Sequence, residues 1–392
     1  GHDIGDALLS QAAERMRASL DARHVLARLE ADEFLVVMEN ADIETATEAA
    51  EELLRLLGAG VVVRDVNLSL DASVGICAYP QHGKLPKKLL LRATVAKNDA
   101  RGSRDSICIY EKGREQRNVR QLSVLGDLRR AVRQDEIKLF LQPKINLGDG
   151  SVCGAEALVR WDHPSLGFLM PNEFIPIAEQ SGNISLITNW ALTAAVRECR
   201  LWEEEGLDMS ISVNLSGHDL LNKDLPCFLL EVLRDHDLAA QKLVVELTEQ
   251  ALVSDLQHAS LVLDSVRDLG CKVAMDDFGT GYSSLVQIKS LPVDELKIDR
   301  SFVTDLPGSR ADIAIVRAAI ELAHSLGMEV LAEGVENASA LRWLEAHSCE
   351  RAQGYYIAKP MPAEQFPGWV SDYNQAREVR CEKGDPARAV LA

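Results

Sequence analysis

From residue 137 onward the chain alternates short apolar runs with longer amphipathic stretches. Eight runs read as strands: IKLFLQPKI, SVCGAEALVRW, SISVNLS, KLVVELTE, KVAMDD, DELKID, MEVLAEGV and RAQGYYIA. After the second, helical patterns fall between them, for instance over 174–205, 256–270 and 311–327. Eight strands alternating with helices over about 230 residues predict a (β/α)8 barrel. Only NLGDG joins the first two strands, a turn too short for a parallel crossover. The first strand is therefore expected to run antiparallel, which modifies the barrel.

The earlier part of the chain is patterned differently. FLVVME (34–39) and VNLSLDASVGICAY (66–79) read as strands, and ETATEAAEELLRLLGAG (44–60) as a helix closed by glycine. A smaller α/β unit is expected over 1–113. Over 114–135, Val119, Leu122, Leu125, Leu128 and Val132 recur at steps of three and four, predicting one connecting helix. The barrel then occupies 136–373. The remainder, 374–392, is polar and charged and is expected to fray.

Composition narrows the functional classes. A formal net charge of −18 argues against a nucleic-acid polymer as partner. A small anionic ligand stays compatible if bound cations offset that field. No run of 18 apolar residues and no opening signal pattern suggests a membrane segment or secretion. The eight cysteines are scattered without CxxC or Cys/His spacing. A cytoplasmic chain with reduced thiols is expected.

The chemistry lies where the strands end. In a barrel of this kind the C-terminal strand ends line the site. Those ends carry Glu156, Asn214, Glu246, Asp276 with Asp277, Lys297 with Asp299, Glu333 and Gln353. Carboxylates crowded on one rim repel unless cations sit among them, and an oxygen-rich set suits Mg²⁺ or Mn²⁺. Asp276 and Asp277 can then bridge two ions and bind one of them, as in two-metal hydrolysis of a phosphoester. Lys297 would orient or deprotonate the attacking water, or neutralise the developing charge. Taken singly, each residue also has a structural reading. Asn214 could cap the next helix, Lys297 could pair with Asp299, and Glu249 could cap a helix or brace the 278–284 loop. Trp161 and Tyr355 read as half-buried aromatics, although either could stack a base.

At these residues the sequence resembles the EAL-domain family of cyclic di-GMP phosphodiesterases. It carries EALVRW (156–161), NLS (214–216), ELTE (246–249), DDFGTGYSS (276–284), LKID (296–299), AEGVE (332–336) and QGY (353–355). The resemblance covers roughly 137–372 and implies hydrolysis of cyclic di-GMP to linear 5′-pGpG with two Mg²⁺ or Mn²⁺ ions. It implies that Glu156, Asn214, Glu246 and Asp276 hold one ion, and that Asp276, Asp277 and Glu333 hold the other. Lys297 would act on the catalytic water, Gln353 and Glu336 would support the site, and Glu249 would hold the 278–284 loop. Gln142, Leu158, Arg160, Asp299, Gln353 and Tyr355 would contact the substrate, Arg160 through a phosphate. A homodimer through this domain is expected by the same resemblance. No catalytic position departs from the family pattern, which favours a hydrolase over a non-catalytic cyclic di-GMP receptor.

The first unit resembles a GGDEF domain, the cyclic di-GMP synthase module, in degenerate form. GHDIGDALL (1–9) and SVGICAYP (73–80) match family motifs. The signature loop reads RLEADEF, with Glu30 and Ala31 in place of two glycines, and Asp32 and Glu33 retained. Glycines there let the backbone approach GTP, whereas Glu30 adds bulk and negative charge. The inhibitory RxxD motif is replaced by DARH (21–24). The family's first strand, with its metal-binding aspartate, would precede Gly1. A scaffold or regulatory role is expected, with at most weak GTP binding.

Overall fold

The computed structural model describes residues 2–30, 32–59, 61–63, 66–68, 70–101, 106–252, 256–279 and 291–382. The chain forms two compact units, Gly1–Leu122 and Ser123–Ala392.

In the first unit, β1 (Val25–Glu30) and β2 (Glu33–Val37) form an antiparallel hairpin. The helix Ile43–Gly58 begins where Asp42 accepts the Thr45 backbone N–H at 2.8 Å, a standard N-cap. Its Leu53 and Leu57 pack with Ala12 and Met16 of the helix His2–Ser19. The run 66–79 is not one strand. It divides into β4 (Val66–Leu68), antiparallel to β3 (Val61–Val63), and β5 (Val74–Ile76), parallel to β6 (Ile107–Ile109).

The second unit is a closed barrel of eight strands. These are β7 (Ile137–Asn146), β8 (Val152–His163), β10 (Ser210–Leu215), β11 (Leu243–Thr248), β12 (Lys272–Phe278), β13 (Glu295–Ile298), β14 (Glu329–Ala332) and β15 (Arg351–Ala352). Neighbours from β8 through β15 pair in parallel, and β7 closes the ring antiparallel to both β8 and β15. The reversal follows from the short turn after Asn146, as expected. Two short strands are additions: β9 (Gly167–Leu169) lengthens the sheet beside β8, and β16 (Met361–Pro362) pairs with β7.

Apolar side chains between the strands and the surrounding helices build the main core, among them Leu192, Leu229, Leu263, Val266, Ile320 and Leu344. A second cluster joins Val124, Leu128 and Ala131, on the helix Arg114–Arg133, to Ile137, Trp161 and Phe174.

Several elements differ from expectation. The stretch 174–205 is two helices, Pro171–Gln180 and Ile184–Glu204, because Gly182 adopts φ 68° between them. RAQGYYIA keeps only two strand residues before turning. Trp161 is fully buried, and its indole N–H donates to Glu136 at 3.1 Å. Tyr355 is 60% exposed. The helix Phe366–Glu382 continues past residue 373. Phe366, Trp369, Val370 and Tyr373 recur at helical spacing and pack on the barrel, which the polar residues between them obscure. Among the described residues no helix is long and apolar enough to cross a membrane.

Candidate functional site

Side chains from all eight strands or their ends meet inside one mouth of the barrel. Lys297, on β13, is fully buried at the centre. Its ammonium lies 2.7 Å from Glu246, 3.0 Å from Asp276 and 2.7 Å from Glu333. The alternative pairing with Asp299 is not formed. Asp299 instead caps the next turn, accepting the Ser301 N–H at 3.0 Å.

Glu156 is buried on β8. Asn214 donates to one of its oxygens at 2.7 Å and Gln353 to the other at 2.6 Å. Gln353 also donates to Gln142 at 3.0 Å. The Glu156 carboxylate thus has amide donors on both sides. Asn214 is exposed on the mouth rather than capping a helix.

The paired aspartates have a backbone explanation. β12 pairs Met275 with Leu296 and Phe278 with Ile298, three steps against two. One extra residue is therefore accommodated, a β-bulge. Asp277 sits in it at φ 56°, the left-handed region, which aspartate tolerates better than most residues. The bulge lets both consecutive carboxylates reach the rim although strand side chains normally alternate.

Two oxygen triads result. Ligand atoms of Glu156, Glu246 and Asp276 lie within 4.8 Å of one another, as do those of Asp276, Asp277 and Glu333. Asp276 belongs to both. An all-oxygen set with a shared carboxylate fits hard divalent cations.

The electrostatics show how the rim tolerates its acids. Burial opposes the charge on Glu246, but Lys144 and Lys297 bonded to it hold its carboxyl down at about 2. Burial pushes Glu333 up to about 8, because Lys297 is shared among several acids and Asp276 and Glu156 lie close. Burial, Asp276 and Asp299 push Asp277 up to about 6. Burial raises Glu156 as well. Lys297 is buried too, yet the surrounding acids hold it well above the usual lysine range. The free rim therefore carries Lys297 as ammonium and keeps part of its acid set protonated near neutral pH.

Around the mouth, Arg160 is buried, with its guanidinium 5.5 Å over the Phe140 ring and one N–H on the Val159 carbonyl. Leu158 is half-buried beside it on β8. Tyr355 stands exposed with Lys359 5.6 Å over its ring. Glu336 is exposed and makes none of the rim's contacts described above. Glu249 is buried at the end of β11, and the Gly279 N–H donates to it at 3.4 Å. That bond ties Glu249 to the start of the 278–284 loop; residues 280–284 lie outside the described set.

In the first unit, Glu33 is ion-paired with Lys97 and Asp32 is exposed. Glu30 ends β1 opposite Glu33, and Ala31 lies outside the described residues.

Three charged residues below the rim escaped sequence reading. Lys144 on β7 and Glu295 on β13 are buried inside the barrel, where charge was not expected, and the half-buried Arg351 on β15 pairs with Glu295. Lys144 bonds Glu246 and Ser212, and Arg351 bonds Glu295 and Glu329. Alternation held the signal: Lys144 lies two residues from Gln142, and Glu295 two from Lys297, so each shares a strand face with a rim residue.

Comparison with known proteins identifies the family of each unit. Residues 125–360 match the EAL domain family model, and residues 1–105 match the model for diguanylate cyclase, GGDEF domain. The bifunctional diguanylate cyclase/cyclic di-GMP phosphodiesterase MucR of Pseudomonas aeruginosa is 36% identical over 368 residues, covering 93% of this chain and 54% of that protein. The cyclic di-GMP phosphodiesterase PdeR of Escherichia coli is 34% identical over 374 residues, covering 95% of this chain and 56% of that protein. The chain thus spans about half the length of these curated relatives. The solved c-di-GMP complex of PaMucR phosphodiesterase superposes with a TM-score of 0.60 at 39% identity, covering 62% of this chain and 99% of that one. The family match over most of the barrel unit, with identities above 30% along nearly the whole chain, shows that the chain belongs to the EAL-domain family, with a GGDEF domain preceding the barrel.

Proposed function

We propose that this chain hydrolyses cyclic di-GMP to linear 5′-pGpG at the barrel mouth, with two Mg²⁺ or Mn²⁺ ions. The observation that carries the reading is the sharing of Asp276 by two oxygen triads. Glu156, Asn214, Glu246 and Asp276 would hold one ion, and Asp276, Asp277 and Glu333 the other. Bound there, the ions would supply Lewis-acid polarisation of a phosphate oxygen and lower the pKa of a water.

The protein's own groups do the rest. Water adds to one phosphorus and the P–O3′ bond breaks, with the proton passing to the departing 3′ oxygen. Lys297, an ammonium among acids, donates hydrogen bonds that orient the water and offset charge developing on the phosphate. Its protonation disfavours service as the base. Arg160 would meet a phosphate, and Gln353, itself held by Gln142, keeps Glu156 in one orientation. Leu158, Asp299 and Tyr355 complete the substrate contacts, and Glu249 fastens the loop after Asp277.

The reading extends to a homodimer through the barrel, a cytoplasmic setting where GTP-derived nucleotides are met, and at most weak GTP contact at the first unit. The Glu33–Lys97 pair supports the last point, since it already satisfies two of that unit's charged groups.

The test is chromatographic product analysis with cyclic di-GMP and Mg²⁺, run with and without GTP. Appearance of linear 5′-pGpG, lost in Glu156→Ala, is the expected result. Tight cyclic di-GMP binding with no product, metal present, would sink the hydrolase reading and leave a receptor.

A further inference from the structure

Beneath the acidic rim lies a second layer of buried charge. β7 runs against its neighbours, so Lys144 sits deeper in the barrel than Gln142. Lys144 is 4% exposed, and its ammonium lies 2.6 Å from Glu246 Oε1, with Ser212 Oγ as a second partner. Glu295 also faces it, but at 3.9 Å. Arg351 ion-pairs with the other oxygen of Glu295, and Arg351 in turn bonds Glu329. A column of alternating charge therefore descends from the rim: Lys297, Glu246, Lys144, Glu295, Arg351, Glu329.

The distances decide what Lys144 does within it. If it served only to neutralise Glu295, it would close on that acid, which has an oxygen with no hydrogen-bond partner. It turns instead to Glu246. Glu246 then has one oxygen fixed from below by Lys144 and the other facing Lys297 at the rim, 2.7 Å away. Lys297 divides its three donors among Glu246, Asp276 and Glu333, so it holds only one oxygen of Glu246 and leaves the other to Lys144.

We propose that Lys144 is a positioning residue for Glu246: it grips one carboxylate oxygen from beneath and so presents the other to the divalent-cation site. This rests on the metal reading of the rim given above. Partners that orient a ligand in this way typically contribute about tenfold to a hundredfold in metal affinity.

The test titrates the full chain with Mn²⁺, following the unbound ion by electron paramagnetic resonance, with circular dichroism as the check on folding. Wild type and Glu295→Gln are expected to bind alike. Lys144→Met and the double variant Lys144→Met/Glu295→Gln are expected to bind about tenfold to a hundredfold more weakly. Should the single Lys144 variant unfold, the double variant, which removes one charge of each sign, carries the comparison against Glu295→Gln. Wild-type affinity in Lys144→Met, or its recovery when Glu295→Gln is added, overturns the proposal, because Lys144 would then only balance Glu295. A wild type that binds no Mn²⁺ overturns the metal reading and the proposal with it, and is distinguished by failing before any variant is compared.

Discussion

Gly354 sits where two rim loops cross, and replacing it with alanine tests whether their contact holds the site together. A Cβ at this position would lie 2.7 Å from the Val335 carbonyl carbon and closer still to its nitrogen and oxygen. All three are backbone atoms, so no side chain can swing away. Val335 follows Glu333 by two residues, and its N–H donates to the Gln353 carbonyl at 3.1 Å. The Gln353 N–H in turn donates to Ala332 at 2.9 Å. The methyl group must therefore push the Glu333 loop and the Gln353 loop apart. Overpacking of a well-packed site costs about 1–3 kcal/mol, and an obstacle made only of backbone puts this case at about 3 kcal/mol. At roughly 2–4 °C per kcal/mol for a domain of this size, the barrel should melt about 6–12 °C lower. Thermal unfolding by circular dichroism, paired with Mn²⁺ titration, reads both consequences. Gly368→Ala is the control: no atom lies within 4 Å of its Cβ, and an exposed helix gains up to about 1 kcal/mol from that change. A Gly354→Ala protein with unchanged melting and unchanged Mn²⁺ binding would refute the crossing-loop account.

Other consequences can be measured directly. Asp277→Asn should weaken the second of two bound ions while cyclic di-GMP affinity persists; isothermal titration showing both ions at unchanged strength would contradict the role given to the bulge. Burial holds Asp277 near 6 and Glu333 near 8, so cations must displace protons from both. Metal affinity should therefore rise between pH 6 and 8, with proton release visible as a dependence of binding heat on the buffer. The same raised values mean that the metal-free fold binds more protons than the unfolded chain above about pH 4.5. Its stability should fall as pH climbs toward 8 in the presence of chelator, and a rise over that window would contradict the burial argument. Trp161→Phe removes the indole donor from Glu136 but leaves Arg130 on that acid; a loss of about 1 kcal/mol in urea unfolding is expected, with product formation retained.

Much of the barrel was legible because its strands end in residues that a core does not need. Glu156, Asn214, Glu246 and the Asp276–Asp277 pair each interrupt an apolar run at the place where a barrel strand meets the mouth. The reversed first strand was legible from one short turn. The buried column was not. Lys144, Glu295 and Arg351 look like solvent-facing strand residues in a linear reading, since burial of charge is rare without a partner, and their partners come from other strands. The bulge at Asp277 was equally hidden, because its cause is a register mismatch with β13 rather than a local motif. Phe366–Glu382 was missed because three or four apolar anchors suffice to dock a helix that is polar elsewhere. In the first unit, the run 66–79 shows the limit of composition: apolar residues recur along it, but Val66–Leu68 and Val74–Ile76 pair with different strands.

The reversal of β7 has a consequence for the chain's wiring. Its opening residue, Ile137, pairs with Trp161 near the far end of β8, so the polypeptide enters the barrel at the level of the rim rather than at the opposite floor, where an ordinary first strand begins. The helix Arg114–Arg133 delivers the chain to that point and is seated there by Val124, Leu128 and Ala131. Five residues further along β7 stands Gln142, opposite Glu156. Only half a strand therefore separates the end of that helix from a carboxylate of the acidic rim.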